Sequence, residues 1–273
     1  METQEQNIPT LNLSENFYSI QGEGISSGVP AYFIRLKGCN FLCGGHNGSL
    51  VKEGKTTWWC DSEAVWRKGA ITLFDNIMND WRTRNIIEWV FSGRVHIVWT
   101  GGEPTISRNQ RDIMNCIEYM DRWIATNSLY YNGNSDVKIL QNCAFNEIET
   151  NGSIVISDDL FDRLQQINCS PKLANSGMKE DIRIVPDAIN KIMKHHNYQF
   201  KFVVSTEADI QEIIRDFVTP FNIPGEHVVL MPGLDCQANF HERTRFVMEM
   251  AKKYGFIGLT RLHISCWDKT CGV

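Results

Sequence analysis

RLKGCNFLCGGHNGSLVKEGKTTWWCDS, residues 35–62, is the stretch on which the reading of this chain turns. It begins inside a short apolar run, AYFIRL (31–36), and passes straight into a loop containing Gly and Asn. Cys39 and Cys43 stand four apart in that loop, a spacing that suits two thiolates on one metal centre. His46 comes three residues later, and Cys60 only after sixteen more intervening positions counted from Cys43. Either His46 or Cys60 can complete a ligand set, and the local sequence leaves that choice open.

Outward from this loop the chain alternates. Further apolar runs, each ending in Gly, Pro or small polar residues, occur at VHIVWT (95–100), IET (148–150), INC (167–169), FKFVV (200–204) and VVLM (228–231). Between several of them the apolar residues take helical spacing, as in Ile113, Ile117, Met120 and Ile124, or Ile210, Ile213, Ile214 and Phe217. A helix over about 240–254 precedes a last extended stretch, GLTRLHIS. Strand and helix in alternation predict parallel strands joined by helical crossovers. Six such units are too few to close an eight-stranded barrel, so the expected fold is α/β, a partial (β/α)6 TIM-like barrel. No internal repeat or low-complexity linker interrupts it, residues 126–136 read as a surface loop, and one domain over 1–273 is expected.

Ligands in such folds sit where strands end and loops begin. That is where the unusual residues fall. GCNFLC follows the first run, TGGEPT the second, ETNG the third, SPK the fourth and MPGLD the sixth. Five such loops on one rim describe a site.

Composition narrows the function classes. At 273 residues, 42% hydrophobic and 22% charged, the chain has the make-up of an ordinary soluble globular protein. A formal charge of −5 leaves no basic footprint, so no nucleic-acid partner is expected. No run approaches the ~18 apolar residues of a spanning helix. The opening METQEQNIPTLNLSEN lacks the basic-then-apolar order of a signal peptide, which makes the cytosol the expected compartment. Nine cysteines there do not form a disulfide framework. Cys116, Cys143, Cys169, Cys236, Cys266 and Cys271 are scattered and read as small buried residues; only Cys39, Cys43 and Cys60 are grouped.

Three thiolates without a fourth suit a cluster with one open iron better than structural zinc, which wants four closed ligands. The TGGEP turn supplies what a bound amino-acid moiety needs. Gly101 and Gly102 let backbone groups approach closely, and Glu103 either stabilises the turn or accepts from an ammonium group. In isolation GGEP is a strand-to-helix turn with Pro104 near the helix start. Beside a cysteine loop the functional reading is the better one.

These residues carry a resemblance. Cys-x3-Cys, a third cysteine and GGEP look like the radical S-adenosylmethionine superfamily. SENFYSIQGEG, then AYFIRLKGCN, WCDS, ETNG, SPK, KFVV and the C-terminal RLH…W…GV resemble, more narrowly, the 7-carboxy-7-deazaguanine synthases, in order from about Ser14 onward. The resemblance implies conversion of 6-carboxy-5,6,7,8-tetrahydropterin to 7-carboxy-7-deazaguanine with loss of ammonia, a step toward queuosine and other deazapurines. It also implies a [4Fe–4S] cluster, S-adenosylmethionine, Mg2+, an electron donor such as flavodoxin or ferredoxin, and a homodimer. Two other readings compete: an activase placing a glycyl radical on a partner protein, and a zinc-binding module without catalysis.

Most family members close the cysteine loop as Cys-x3-Cys-x2-Cys, some carry an expanded loop, and here His46 stands at the compact third position. WWCDS reproduces the family's WCDT ending, so the resemblance favours Cys60 as third ligand, with residues 44–59 an inserted excursion and His46 a solvated loop residue. Ser62 stands where the family has its magnesium-binding threonine and offers the same single hydroxyl. Carried over position by position, Ile20, Gln21, Gly22, Glu23, Arg35 and Thr100 meet the substrate, Arg35 at its carboxylate. Trp59, Asp61, Gly101, Gly102, Glu103, Ser170, Pro171 and Lys172 meet S-adenosylmethionine. Glu149 and Asn151 orient the site, and the carboxylate of Val273 reaches the substrate.

Overall fold

A computed structural model describes residues 8–127, 142–234 and 236–270. The six apolar runs are strands β2 (Pro30–Leu36), β4 (His96–Gly101), β5 (Asn146–Thr150), β6 (Gln166–Cys169), β7 (Tyr198–Val204) and β8 (Val228–Pro232). Each pairs in parallel with the next in sequence. Three further strands extend this set: β1 (Thr10–Ile20), β3 (Ala70–Leu73) and the two-residue β9 (Ile257–Gly258). The full order is β3-β1-β2-β4-β5-β6-β7-β8-β9, with β1 antiparallel to both β2 and β3. β3 and β9 end the sheet and do not pair, so the barrel is open, as expected from six units.

Alternation along the strands divides the sheet into two unlike faces. On one face Tyr32, Ile34 and Leu36 of β2, Ile97 and Trp99 of β4, Ile148, Ile167, Phe200 and Phe202 join a single apolar core. Helices Phe74–Thr83 and Ser107–Asn127 cover it with Ile77, Trp81, Ile113, Ile117 and Met120. Each such side chain contributes about 1.5–3 kcal/mol on full burial. The inner face carries a small apolar group, Ala31, Phe33 and Val98 with Phe17 against it. Beyond that group the inward positions include Arg35, His96, Thr100, Glu147, Glu149, Gln166, Asn168, Gln199 and Lys201, with Val203, Val229 and Met231 at the β7–β8 side. Charged groups at such positions cost several kcal/mol unless paired or hydrogen-bonded, so this face is built for partners rather than for packing.

Three expectations are corrected. The stretch GLTRLHIS is not extended throughout: after β9 the chain turns into a helix, Leu262–Trp267, whose first N–H (Leu262) donates to the Gly22 carbonyl at 3.2 Å. A tertiary partner overrides the β-prone composition here. Cys143 and Cys266 are exposed and Cys236 half-buried, whereas Cys116 and Cys169 are buried as expected. Thr126 and Asn127 still belong to the helix Ser107–Asn127, and the rest of the expected 126–136 loop, like Cys271, lies outside the described residues. Among the described residues no helix is long and apolar enough to cross a membrane.

Candidate active site

β2 and β4 end side by side, and their two loops are pressed together. The Leu36 carbonyl accepts from Gly102 N–H at 3.1 Å and the Gly38 carbonyl from Glu103 N–H at 2.8 Å. A side chain at Gly102 would run into the Gly38 carbonyl and Cys39 Cβ, and one at Gly101 (φ 126°) into the Leu36 backbone. The second and third letters of TGGEP are therefore glycine because the cysteine loop passes within backbone contact of them.

Within that loop the Cys60 N–H donates to the Cys43 carbonyl at 3.1 Å. This one bond pinches residues 44–59 into a closed excursion and sets Cys60 next to Cys43. His46 goes elsewhere: its side chain is 60% exposed and its Nδ1 lies 2.7 Å from Oε1 of the buried Glu63. Glu63 also accepts from Arg67 Nε at 2.8 Å and Asn47 N–H at 3.1 Å. Burial works to raise the Glu63 carboxyl, but these partners outweigh it and hold the group below its usual range.

His46 is exposed as expected, while the inserted excursion around it is structured. It folds into a short helix, Ser49–Lys52, and docks on residues 174–177. There Gly44 N–H donates to the Ser176 carbonyl at 2.8 Å and Trp58 Nε1 to Asn175 Oδ1 at 2.9 Å.

Among the described residues no three His, Cys, Asp or Glu side chains converge tightly enough to grip a single metal ion. A four-iron cluster is larger than an ion and holds its cysteines farther apart. The donor set fits such a group: three thiols on one short loop, closed by a backbone bond, with the Gly102 turn in contact with Cys39. Burial pushes Cys39 up to about 12 and Cys43 up to about 11, the latter opposed by Lys172. Both are thiols at neutral pH, so cluster binding must release their protons.

Glu103 is fully buried and serves the turn. Its Oε1 accepts from Thr105 N–H at 2.9 Å, Thr105 Oγ1 at 2.5 Å and Thr150 Oγ1 at 2.7 Å, and its Oε2 from Asn151 N–H at 2.7 Å. The carboxylate thus ties TGGEP to the ETNG loop, the first of the two roles read for it. Glu103→Ala leaves these donors unpaired in the interior and is expected to cost about 3 kcal/mol. Urea unfolding measures this, and an unchanged midpoint would remove Glu103 from the frame of the site.

The inner face below carries the residues expected at the substrate. Ile20 ends β1, and Gln21 turns inward, buried. Gln21 Nε2 donates to Glu149 Oε1 at 3.3 Å and Glu147 Oε2 at 3.4 Å, while its Oε1 accepts from Glu23 N–H at 3.3 Å. Gly22 lies flat beneath the His263 ring, where no side chain fits. Thr100 Oγ1 donates to Glu149 Oε2 at 2.8 Å. Arg35 sits opposite Glu15 in the β1–β2 register, its Nε 2.9 Å from Glu15 Oε1 and its guanidinium 5.5 Å from the Phe17 ring centre.

Glu23 is clamped by two cations, Lys201 through a short ion pair and Arg261 through Nε at 3.0 Å. Burial alone would raise this carboxyl, yet Lys201 and Arg261 outweigh it and hold it well below the carboxylate range. A depressed folded pKa contributes stability above the unfolded value and loses it only as pH falls through the folded one. The clamp therefore survives mild acid.

The cofactor-side residues lie at neighbouring strand ends. Ser170 N–H donates to the Thr150 carbonyl at 2.7 Å, Lys172 Nζ reaches Ser170 Oγ at 3.3 Å, and Pro171 between them is buried. Trp59 is exposed and covers Gly44 and Gly48. Asp61 meets Arg261 Nη2 at 3.2 Å. Ser62 Oγ is 3.4 Å from Cys60 Sγ, so its hydroxyl belongs to the cysteine loop and not to a remote turn. Asn151 Nδ2 bonds Asn40 Oδ1 at 2.9 Å, joining the ETNG loop to the cysteine loop. Val273 lies outside the described residues. Sequence reasoning missed Lys201, Arg261 and Glu147. For Lys201 a signal existed, since Gln199 and Lys201 alternate with Tyr198, Phe200 and Phe202 in a buried strand.

No protein-family model matches the chain. Along nearly its whole length it is similar to proteins named 7-carboxy-7-deazaguanine synthase. That of Pyrobaculum aerophilum is 28% identical over 267 residues, 97% of this chain and 98% of the relative. That of Halobacterium salinarum is 28% identical over 283 residues, 95% and 91% of the two chains. That of Aquifex aeolicus is 27% identical over 261 residues, 94% of each. The crystal structure of QueE from Escherichia coli matches with a TM-score of 0.57, 20% identity and coverage of 93% of this chain and 95% of that one. At that identity the structural likeness bears on the fold alone.

Proposed function

This chain is an enzyme resembling the 7-carboxy-7-deazaguanine synthases, and we propose that it converts 6-carboxy-5,6,7,8-tetrahydropterin to 7-carboxy-7-deazaguanine with loss of ammonia. The product feeds queuosine-type deazapurine synthesis. The observation that carries this reading is the bond from Cys60 N–H to the Cys43 carbonyl, which gathers three cysteines against the GG turn above a polar inner face.

Cys39, Cys43 and Cys60 would hold a [4Fe–4S] cluster. Gly101, Gly102, Ser170, Pro171, Lys172, Trp59 and Asp61 would hold S-adenosylmethionine, and the Ser62 hydroxyl a magnesium ion. Together these groups supply hydrogen-atom abstraction and charge neutralisation; the protein supplies binding and orientation. Arg35 presents a guanidinium to the pterin carboxylate, a planar fork matched to that group. Gln21 and Thr100, both tied to Glu149, and Glu23, tied to Lys201 and Arg261, present donors and acceptors to the heterocycle edge from fixed positions. Phe17 and Phe33, stacked 5.0 Å apart, line the inner face beside Arg35 and exclude water there. The enzyme works in the cytoplasm as a homodimer and takes electrons from a donor such as flavodoxin or ferredoxin.

Anaerobic purification with iron, sulfide and zinc assays tests the reading, together with calorimetric titration of the carboxypterin. A brown protein with equal iron and sulfide and saturable pterin binding is expected. A colourless zinc protein that does not bind pterin would contradict it.

A further inference from the structure

Arg261 meets three of the loops at the mouth of the sheet. Its Nε lies 3.0 Å from Glu23 Oε1 in the QGEG loop, and its Nη2 3.2 Å from Asp61 Oδ2, next to Cys60. Its Nη1 donates to the carbonyl of Leu234, beyond β8. The two neighbouring residues reinforce the contact: Leu262 N–H binds the Gly22 carbonyl, and His263 rests on Gly22. Glu23, in turn, is bound by Lys201 from β7.

A guanidinium holds its nitrogens in one rigid plane, so the Glu23 and Asp61 carboxylates cannot shift independently while both are bonded to it. Lysine, a single point charge, cannot impose that constraint. The Glu23 contact is deep and anchored by a second cation. The Asp61 carboxylate is mostly exposed, so its half of the bridge is the one that yields.

We propose that Arg261 is a positioning residue that couples the substrate loop to the cysteine loop, so that seating the pterin against Glu23 draws Asp61 and the S-adenosylmethionine site into register. This rests on the proposed reaction. By linkage the coupling is reciprocal: each ligand tightens the other by the same factor. A purely structural brace would stabilise the fold and leave the two affinities independent.

The experiment uses the cluster-loaded enzyme held oxidised, so that nothing turns over. Pterin affinity is measured with and without S-adenosylmethionine, and S-adenosylmethionine affinity with and without pterin. The wild type is expected to show a mutual enhancement of about 5- to 150-fold. Arg261→Lys and, separately, Asp61→Asn should bring that factor toward one. Urea unfolding identifies a variant that has failed to fold, and the Asp61 variant, which leaves the Glu23 half of the bridge intact, keeps the test available. Since Asp61 is itself assigned to the S-adenosylmethionine site, the readout is the enhancement factor and not either affinity alone. Independent affinities in the wild type, or an undiminished factor in both folded variants, overturn the inference while leaving the reaction standing. A wild type that does not bind pterin overturns the reaction and the inference together.

Discussion

Cys60→Ala is expected to yield protein without iron and without any cleavage of S-adenosylmethionine, whereas His46→Ala keeps both. His46 follows Cys43 by three residues, so sequence alone makes it a candidate. Its imidazole is instead paired with Glu63 and faces solvent, while the Cys60 backbone is bonded to Cys43. Removing His46 breaks one contact of a largely exposed ring and should cost no more than about 1 kcal/mol of stability. Losing Cys60 leaves two thiols, too few to hold a cluster. Iron content and 5′-deoxyadenosine formation read the outcome. Full iron in the Cys60 variant with loss in the His46 variant would transfer the ligand role.

Arg35→Ala should separate substrate binding from radical chemistry. The cluster and a basal, uncoupled cleavage of S-adenosylmethionine are expected to remain, and product to disappear. Glu15 Oε1 lies 2.9 Å from Arg35 Nε, and the terminal nitrogens are the pair we expect a substrate carboxylate to take. Removing one member of a desolvated charge pair costs about 2–5 kcal/mol, or roughly 30- to several-thousand-fold in affinity. Paired chromatography of 5′-deoxyadenosine and 7-carboxy-7-deazaguanine measures the split. Near wild-type product from this variant would return Arg35 to a structural pairing with Glu15.

The six parallel strands and the helix Phe240–Tyr254 were legible because one whole face of the sheet is apolar and its returns follow helical spacing. β1 was not. Beyond Leu11 and Leu13 its side chains are half-buried, since Glu15 and Phe17 face the site rather than the core, and an apolar pattern has little to report there. β3 has only four residues, mostly exposed. The cysteine, GGEP and ETNG loops could be placed on one rim from their order alone. Their contacts could not: some are made by backbone, Gly38 with Glu103 and Cys43 with Cys60, and the others by side chains far apart in the chain, Glu103 with Thr150 and Asn40 with Asn151. Lys201, Arg261 and Glu147 acquire meaning only as partners of Glu23, Asp61 and Gln21, residues far away in the chain. The alternation of Gln199 and Lys201 with apolar neighbours marks Lys201 as inward-facing, but no periodicity names its partner.

Anaerobic incubation of the reconstituted wild type with 6-carboxy-5,6,7,8-tetrahydropterin, S-adenosylmethionine, magnesium and a reductant tests the central claim most directly. The account predicts 7-carboxy-7-deazaguanine and ammonia, with no product when the pterin lacks its carboxylate. Formation of 5′-deoxyadenosine without conversion of the carboxypterin would contradict the named reaction and leave only the radical chemistry.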